Sequence, residues 1–179
     1  TVARLSPEKN IQVLINAINI LKNRDINVRL VLVGDGPSRA ILESMVKKLN
    51  LERQVTFAGM QGNIPEFLSI FDVFILPSKR ESFSLSVREA MAMGKAIIST
   101  SVGGAREMLQ EGRCGILINP RNVKFLVKKI ELLIDDAEIR ETLETAARKR
   151  AVELFGQEKW LRGNELFYLS KISTIEEDK

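Results

Sequence analysis

The chain has 179 residues, 45% hydrophobic and 28% charged, which is enough to build a buried core and excludes disorder or a coiled coil as a reading of the whole. Its formal charge of +4 and pI near 9.3 suit an anionic ligand or an anionic membrane surface. They are too mild for a nucleic-acid partner, and one Tyr and one Trp offer little surface for stacking bases.

In chain order, Thr1-Val2-Ala3 reads as the stub of a first strand, followed by a helix whose apolar stripe is Ile11, Leu14, Ile18 and Leu21. Val28 to Val33 is a β-branched run ending at Gly34, and predicts a buried strand. A second helix with the stripe Ile41, Met45 and Leu49 follows, then strands at 55–58, 73–76, 96–99 and 115–118. Helical patterns fill the intervals at 64–71, 87–93 and 123–134. Beyond Asp135 the strands stop, and helices are expected at 137–155 and 158–172, the latter with Trp160, Leu161, Leu166, Phe167 and Leu169 on its apolar side. Strands alternating with helices predict an α/β fold: a Rossmann-like parallel sheet of about six strands, with helices on both faces, in a single domain over 1–179. In such sheets ligands lie beyond the carboxyl ends of the strands.

Four segments at those ends could carry chemistry. Glu81-Ser82-Phe83-Ser84-Leu85-Ser86-Val87-Arg88-Glu89 runs from a strand into a helix, with Lys79 and Arg80 just upstream. A helix start offers unpaired N–H groups and the positive end of the dipole to an anion. The carboxylates at its ends suit sugar or ribose hydroxyls, although Ser86 and Glu89 also fit a capping box, which needs no ligand. Arg4-Leu5-Ser6-Pro7-Glu8-Lys9 could clamp a diphosphate or could be a solvated loop. Gly34-Asp35-Gly36-Pro37-Ser38-Arg39 fails as a dinucleotide fingerprint, because Arg39 stands where the third glycine belongs; a tight turn into a helix explains it as well. Gly103-Gly104 allows either a close backbone approach or a simple turn.

The chain contains no histidine, so neutral-pH acid–base chemistry would fall to carboxylates and fixed cations, or to groups outside it. It has no D-x-D pair and no Cys/His cluster for a metal. Its one cysteine, Cys114, reads as a small residue at a strand start and fits a reducing compartment. No apolar run has the length of a membrane span.

Taken together and in this order, Arg4 to Lys9, Val33-Gly34-Asp35-Gly36-Pro37, Val55 to Gly59, Leu76-Pro77-Ser78, Glu81 through Gly94, Gly103 to Glu107 and Gly115 to Pro120 closely resemble the glycosyltransferase group 1 family, with its two-domain GT-B fold. The E-x7-E pattern of Glu81 and Glu89, followed by Ala90-Met91-Ala92-Met93-Gly94, is its most specific piece. The resemblance implies the donor-binding, C-terminal half of a retaining, metal-independent enzyme that transfers a sugar from a nucleotide-diphosphate sugar.

It also implies roles. Arg4 and Lys9 match the basic pair that neutralises the diphosphate, and Glu81 matches the carboxylate that holds the transferred sugar. Glu89 matches the residue that grips the ribose. The amides of Phe83, Ser84 and Leu85 would meet the phosphates, and Met60 and Gln61 the base. All are expected around one hollow. The family's acceptor-binding N-terminal domain would be absent from this chain, which alone would transfer almost nothing. A cytoplasmic setting is implied, with contact at the inner face of the membrane as in enzymes of cell-envelope synthesis. A non-catalytic nucleotide-binding module and a sugar-nucleotide epimerase are the alternatives. Two departures add bulk near the phosphates: Ala3 stands where the family has a glycine before the arginine, and Ser82-Phe83-Ser84 stands for the commoner Gly-Phe-Gly.

Overall fold

Short β-branched runs separated by amphipathic segments have one economical arrangement: parallel strands in the middle and helices on either side. The computed structural model describes residues 1–120 and 122–156 and takes that form. The strands are β1 (Leu30–Val33), β2 (Val55–Gly59), β3 (Val73–Leu76), β4 (Ala96–Thr100) and β5 (Ile116–Ile118). The helices are α1 (Gln12–Lys22), α2 (Arg39–Lys48), α3 (Ile64–Ser69), α4 (Leu85–Ala92), α5 (Ala105–Met108), α6 (Val123–Asp135) and α7 (Ala137–Phe155). Short 3-10 turns lie at Pro7–Lys9 and Gln110–Gly112. The helix expected at 158–172 lies outside the described residues.

All strand pairs are parallel, but the six expected strands form five, divided between a two-stranded sheet β1–β2 and a three-stranded sheet β3–β4–β5. The stub contributes only an isolated parallel bridge, Val2 opposite Val33, because the chain soon leaves the strand direction for the turn at Pro7. The Ala3 and Leu5 amides still donate to the carbonyls of Val33 and Asp35, each at 2.9 Å. Strand β1 starts at Leu30 rather than Val28, since its partner ladder begins only at Val55.

Side-chain alternation along the strands builds two core layers. Ala96 and Ile98 of β4 join Leu14, Ile18, Leu32, Leu126 and Leu133, in the layer holding α1, α2 and α6. Ile97, one residue out of phase, joins Phe74, Leu76, Val87, Met91 and Ala147, in the layer holding α4 and α7. Every residue of β4 is buried, as a central strand covered on both faces requires. The stripe expected on α2 is corrected: the helix turns Leu42 and Val46 inward and leaves Ile41 72% exposed, with Met45 and Leu49 only flanking the core. Residues 42, 46 and 49 share a face at the i, i+4, i+7 spacing, and on it Leu42 and Val46 are 3% and 4% exposed. Among the described residues no helix is long and apolar enough to cross a membrane.

Candidate functional site

The candidate residues sit on loops that leave the carboxyl ends of the stub, β1, β2, β3, β4 and β5, and those loops bond to one another. The 3-10 turn at Pro7–Lys9 ends on Asn10, which is buried in the left-handed region at φ 57°. Its Nδ2 donates to the Pro77 carbonyl at 3.1 Å and to the Pro120 carbonyl at 2.9 Å, joining the loop after the stub to those after β3 and β5. Nearby, the Lys79 amide donates to the Glu8 carbonyl at 2.7 Å, and the Thr100 hydroxyl to the Ser78 carbonyl at 2.6 Å. Sequence reasoning missed Asn10. Its signal was an Asn closing a proline-started turn, a residue type that tolerates left-handed backbone and carries an amide to bond with.

This framework brings Lys9 and Glu81, 72 positions apart, into an ion pair at 2.6 Å. Both are well covered, with side chains 21% and 15% exposed. The buried Ser78 hydroxyl also donates to Glu81, at 3.3 Å. The Glu8 carboxyl accepts from the Ser6 hydroxyl at 2.6 Å, and this bond lowers its pKa.

Helix α4 begins at Leu85, two residues before the expected start, and its cap is Ser84 rather than Ser86. The Val87 amide donates to Ser84 Oγ at 3.3 Å. The capping box of Ser86 and Glu89 therefore does not form: Glu89 lies at the fifth helical position, beyond reach of the orphan amides. Instead its carboxyl is half-buried, and burial raises its pKa against a smaller lowering by Arg88. The amides of Phe83, Ser84, Leu85 and Ser86 donate to no acceptor among the described residues. They form an amide-rich entrance to the helix with the dipole behind it.

The two glycine-bearing segments hold the neighbouring loops in place. Gly103 has φ 55°, and a Cβ there would overlap the Glu81 carbonyl oxygen. At Gly104 a Cβ would overlap the Phe83 ring, and its amide donates to the Ser82 carbonyl at 2.7 Å. Of the two readings of the glycine pair, close approach is the one observed, and it is made to the 81–83 segment. Gly34 and Gly36 do the same for the other loop, pressing on the backbone of Ala3 and Leu5 on either side of Arg4. Asp35 is tied up locally, accepting from the Gly36 amide at 2.7 Å and Arg39 at 2.8 Å. Both contacts hold its pKa below the usual carboxylate range.

The expected residues do not all line one hollow. Arg4, exposed, lines a hollow of about 460 Å³ with Met60, Gln61, Ala3, Gly34 and Asp35. Met60 is 79% exposed, while the Gln61 side-chain amide donates to the Ala58 carbonyl at 2.7 Å. Glu89 and Leu85 line a different hollow of about 370 Å³ between α4 and α7. Lys9 and Glu81 lie in neither lining and bond to each other instead. Glu89 thus borders the hollow against α7, while Glu81 is paired with Lys9. Cys114 is buried just before β5, with its thiol pKa raised by burial.

Comparison with known proteins extends this geometry. The sequence profile described as Glycosyl transferases group 1 matches residues 1–150. N-acetyl-alpha-D-glucosaminyl L-malate synthase of Bacillus anthracis is 35% identical over 144 residues, covering 80% of this chain and 38% of its own length. The structure of Anabaena HepE in complex with UDP-glucose superposes with a TM-score of 0.81 at 28% identity, over 92% of this chain and 47% of that one. Sucrose-phosphate synthase from Thermosynechococcus elongatus gives 0.85 at 26% identity, over 97% and 45%. The chain thus spans about two-fifths of the curated relative it matches and under half of each of these two structures. A profile that runs from the stub through most of α7, across every loop that builds the site, places this chain in the glycosyl transferases group 1 family.

Proposed function

We propose that the chain is the donor-binding part of a retaining, metal-independent glycosyltransferase, which takes a sugar from a nucleotide-diphosphate sugar and passes it to an acceptor held by a further domain. The observation that carries this reading is the amide entrance of α4, four backbone N–H groups without acceptors among the described residues, beside the paired Lys9 and Glu81. An anion is the natural partner of such an entrance. The solved complex of HepE with UDP-glucose supports a nucleotide sugar as the ligand class.

In this reading the leaving group is a nucleoside diphosphate whose negative charge grows as the glycosidic bond breaks. Arg4, Lys9 and the amides of Phe83, Ser84 and Leu85 meet that charge with fixed positive ends already in place, so the reaction needs no reorganisation and no metal at that step. Glu81 accepts from hydroxyls of the transferred sugar, and its bonds to Lys9 and Ser78 orient it for that task. Glu89 accepts from the ribose hydroxyls. Met60 and Gln61 border the hollow assigned to the base. Peripheral contact with an anionic membrane face is consistent with the net charge of +4.

Calorimetric titration with UDP, GDP, ADP and dTDP, and with their glucose conjugates, tests the reading. Binding of at least one series is expected, with affinity unchanged by EDTA. No heat with any of them at millimolar concentration removes the proposal.

A further inference from the structure

The first residue of the amide entrance is Phe83, and its ring does not stand alone. The Arg88 guanidinium carbon lies 5.7 Å from the centre of the Phe83 ring and 5.6 Å from that of Phe155, at the end of α7. The two rings meet edge to face, 6.0 Å apart at 82°. The three groups therefore form a nearly equilateral triangle that joins the loop before α4, the first turns of α4 and the last turn of α7. Each side falls in the range of a favourable cation–π or aromatic contact. The Nε of Arg88 is buried and has no hydrogen-bond partner, so no acceptor among the described residues accounts for its position; the aromatic faces do. On another edge the Phe83 ring rests on Gly104, where any side chain would overlap it.

We infer that Arg88 is a positioning residue for the donor site, acting through Phe83 and Phe155 to hold the Phe83–Leu85 amides against the end of α7. The inference rests on the proposed donor role of those amides. Phe83 is 41% exposed and follows two loop residues, so its own burial does not fix it. Fastened to Arg88 and seated on Gly104, it presents its backbone in one orientation. An anion bound there then avoids the entropy of ordering the loop.

The test uses the whole chain and inorganic pyrophosphate as the probe, which needs no knowledge of the nucleotide base. Arg88→Met keeps the length and helix preference of the side chain but removes the planar cation. It is expected to weaken pyrophosphate binding roughly threefold to fivefold, the size of one partly exposed cation–π pair. Phe155→Leu should weaken binding to a similar degree, and the double variant should be little worse than either single one. Arg88→Lys should recover part of the loss. A purely structural role would lower thermal stability but leave the affinity of the folded protein unchanged and the coupling at zero. Equal pyrophosphate affinity in wild type and Arg88→Met overturns the inference, as does a double variant whose losses simply add, or a wild type that takes up nucleotide but no pyrophosphate. If the wild type binds neither pyrophosphate nor any nucleoside diphosphate, the donor reading falls and this inference with it.

Discussion

In the proposed donor site, Glu89 would serve binding at the expense of stability. Its carboxyl is half-buried and its pKa is raised, chiefly by desolvation. A raised folded-state pKa means that the folded chain holds the proton more tightly than the unfolded one. Stability from this group is therefore fully present below the ordinary carboxylate range and is lost as pH rises through the raised value. At neutral pH the charged form is a cost, and Glu89→Gln should raise Tm there, with the gain vanishing in acid. The same substitution should weaken nucleotide binding by about tenfold, because a carboxylate accepts two charge-assisted bonds from ribose where an amide offers one neutral acceptor. Thermal melts at two pH values and a nucleotide titration check both halves; a variant less stable at neutral pH and unchanged in affinity would contradict them. The pairing of Glu89 with Ser86 in a capping box was the natural alternative from spacing alone. Which serine caps a helix depends on where the loop delivers the chain, and S-x-S-x-S offers three candidates at nearly equal local cost. That loop is tied from outside its own sequence, with the Gly104 amide after β4 donating to the Ser82 carbonyl.

At the scale of elements, the site is an agreement among loops, held together by residues that bond to or pack on one another's backbone. Asn10 secures two of them through one side-chain amide. Asn10→Gly keeps the left-handed backbone without strain but leaves the Pro77 and Pro120 carbonyls without their donor. A loss of about 1–3 kcal/mol in chemical denaturation is expected, with weaker nucleotide binding as the Lys9 turn loosens. Gly103 sets the opposite face. With φ 55° and the Glu81 carbonyl oxygen where a Cβ would go, Gly103→Ala must move the 81–83 segment. A cost of about 1–3 kcal/mol is expected, with disproportionate loss of nucleotide affinity. Gly62→Ala, which has open space around it, is the control that should change neither. The strands and most helices that carry these loops were legible because their signal is local: β3 spans Val73–Leu76 and α7 spans Ala137–Phe155 as periodicity places them. The phase of α2 was not, since Ile41 and Leu42 are equally apolar and only the neighbouring core chooses between them.

Across the whole molecule, the parallel arrangement and the loops at its carboxyl edge followed from strand–helix alternation, whereas the partition of the sheet did not. A three-residue stub is hydrophobic enough to read as a strand, yet only Val2 makes a ladder bridge. What the arrangement does accomplish is to gather helix dipole, backbone amides and two cations at one edge of a chain with net charge +4. Arg4 is exposed, so in the proposed reading its interaction with a diphosphate would be screened by salt; Lys9 is largely covered and paired with Glu81, so its contribution would respond less. The α4 amides carry no counter-ion to release. Nucleoside diphosphate affinity should therefore fall with rising NaCl between ~0.05 and ~0.5 M, as the Debye length shrinks from ~13 to ~4 Å, but should level off rather than vanish. Arg4→Met should flatten that dependence and lower the low-salt affinity to near the high-salt value of the wild type. If the slope survives in Arg4→Met, the diphosphate is held by some other exposed cation, and the loop after the stub is not its clamp.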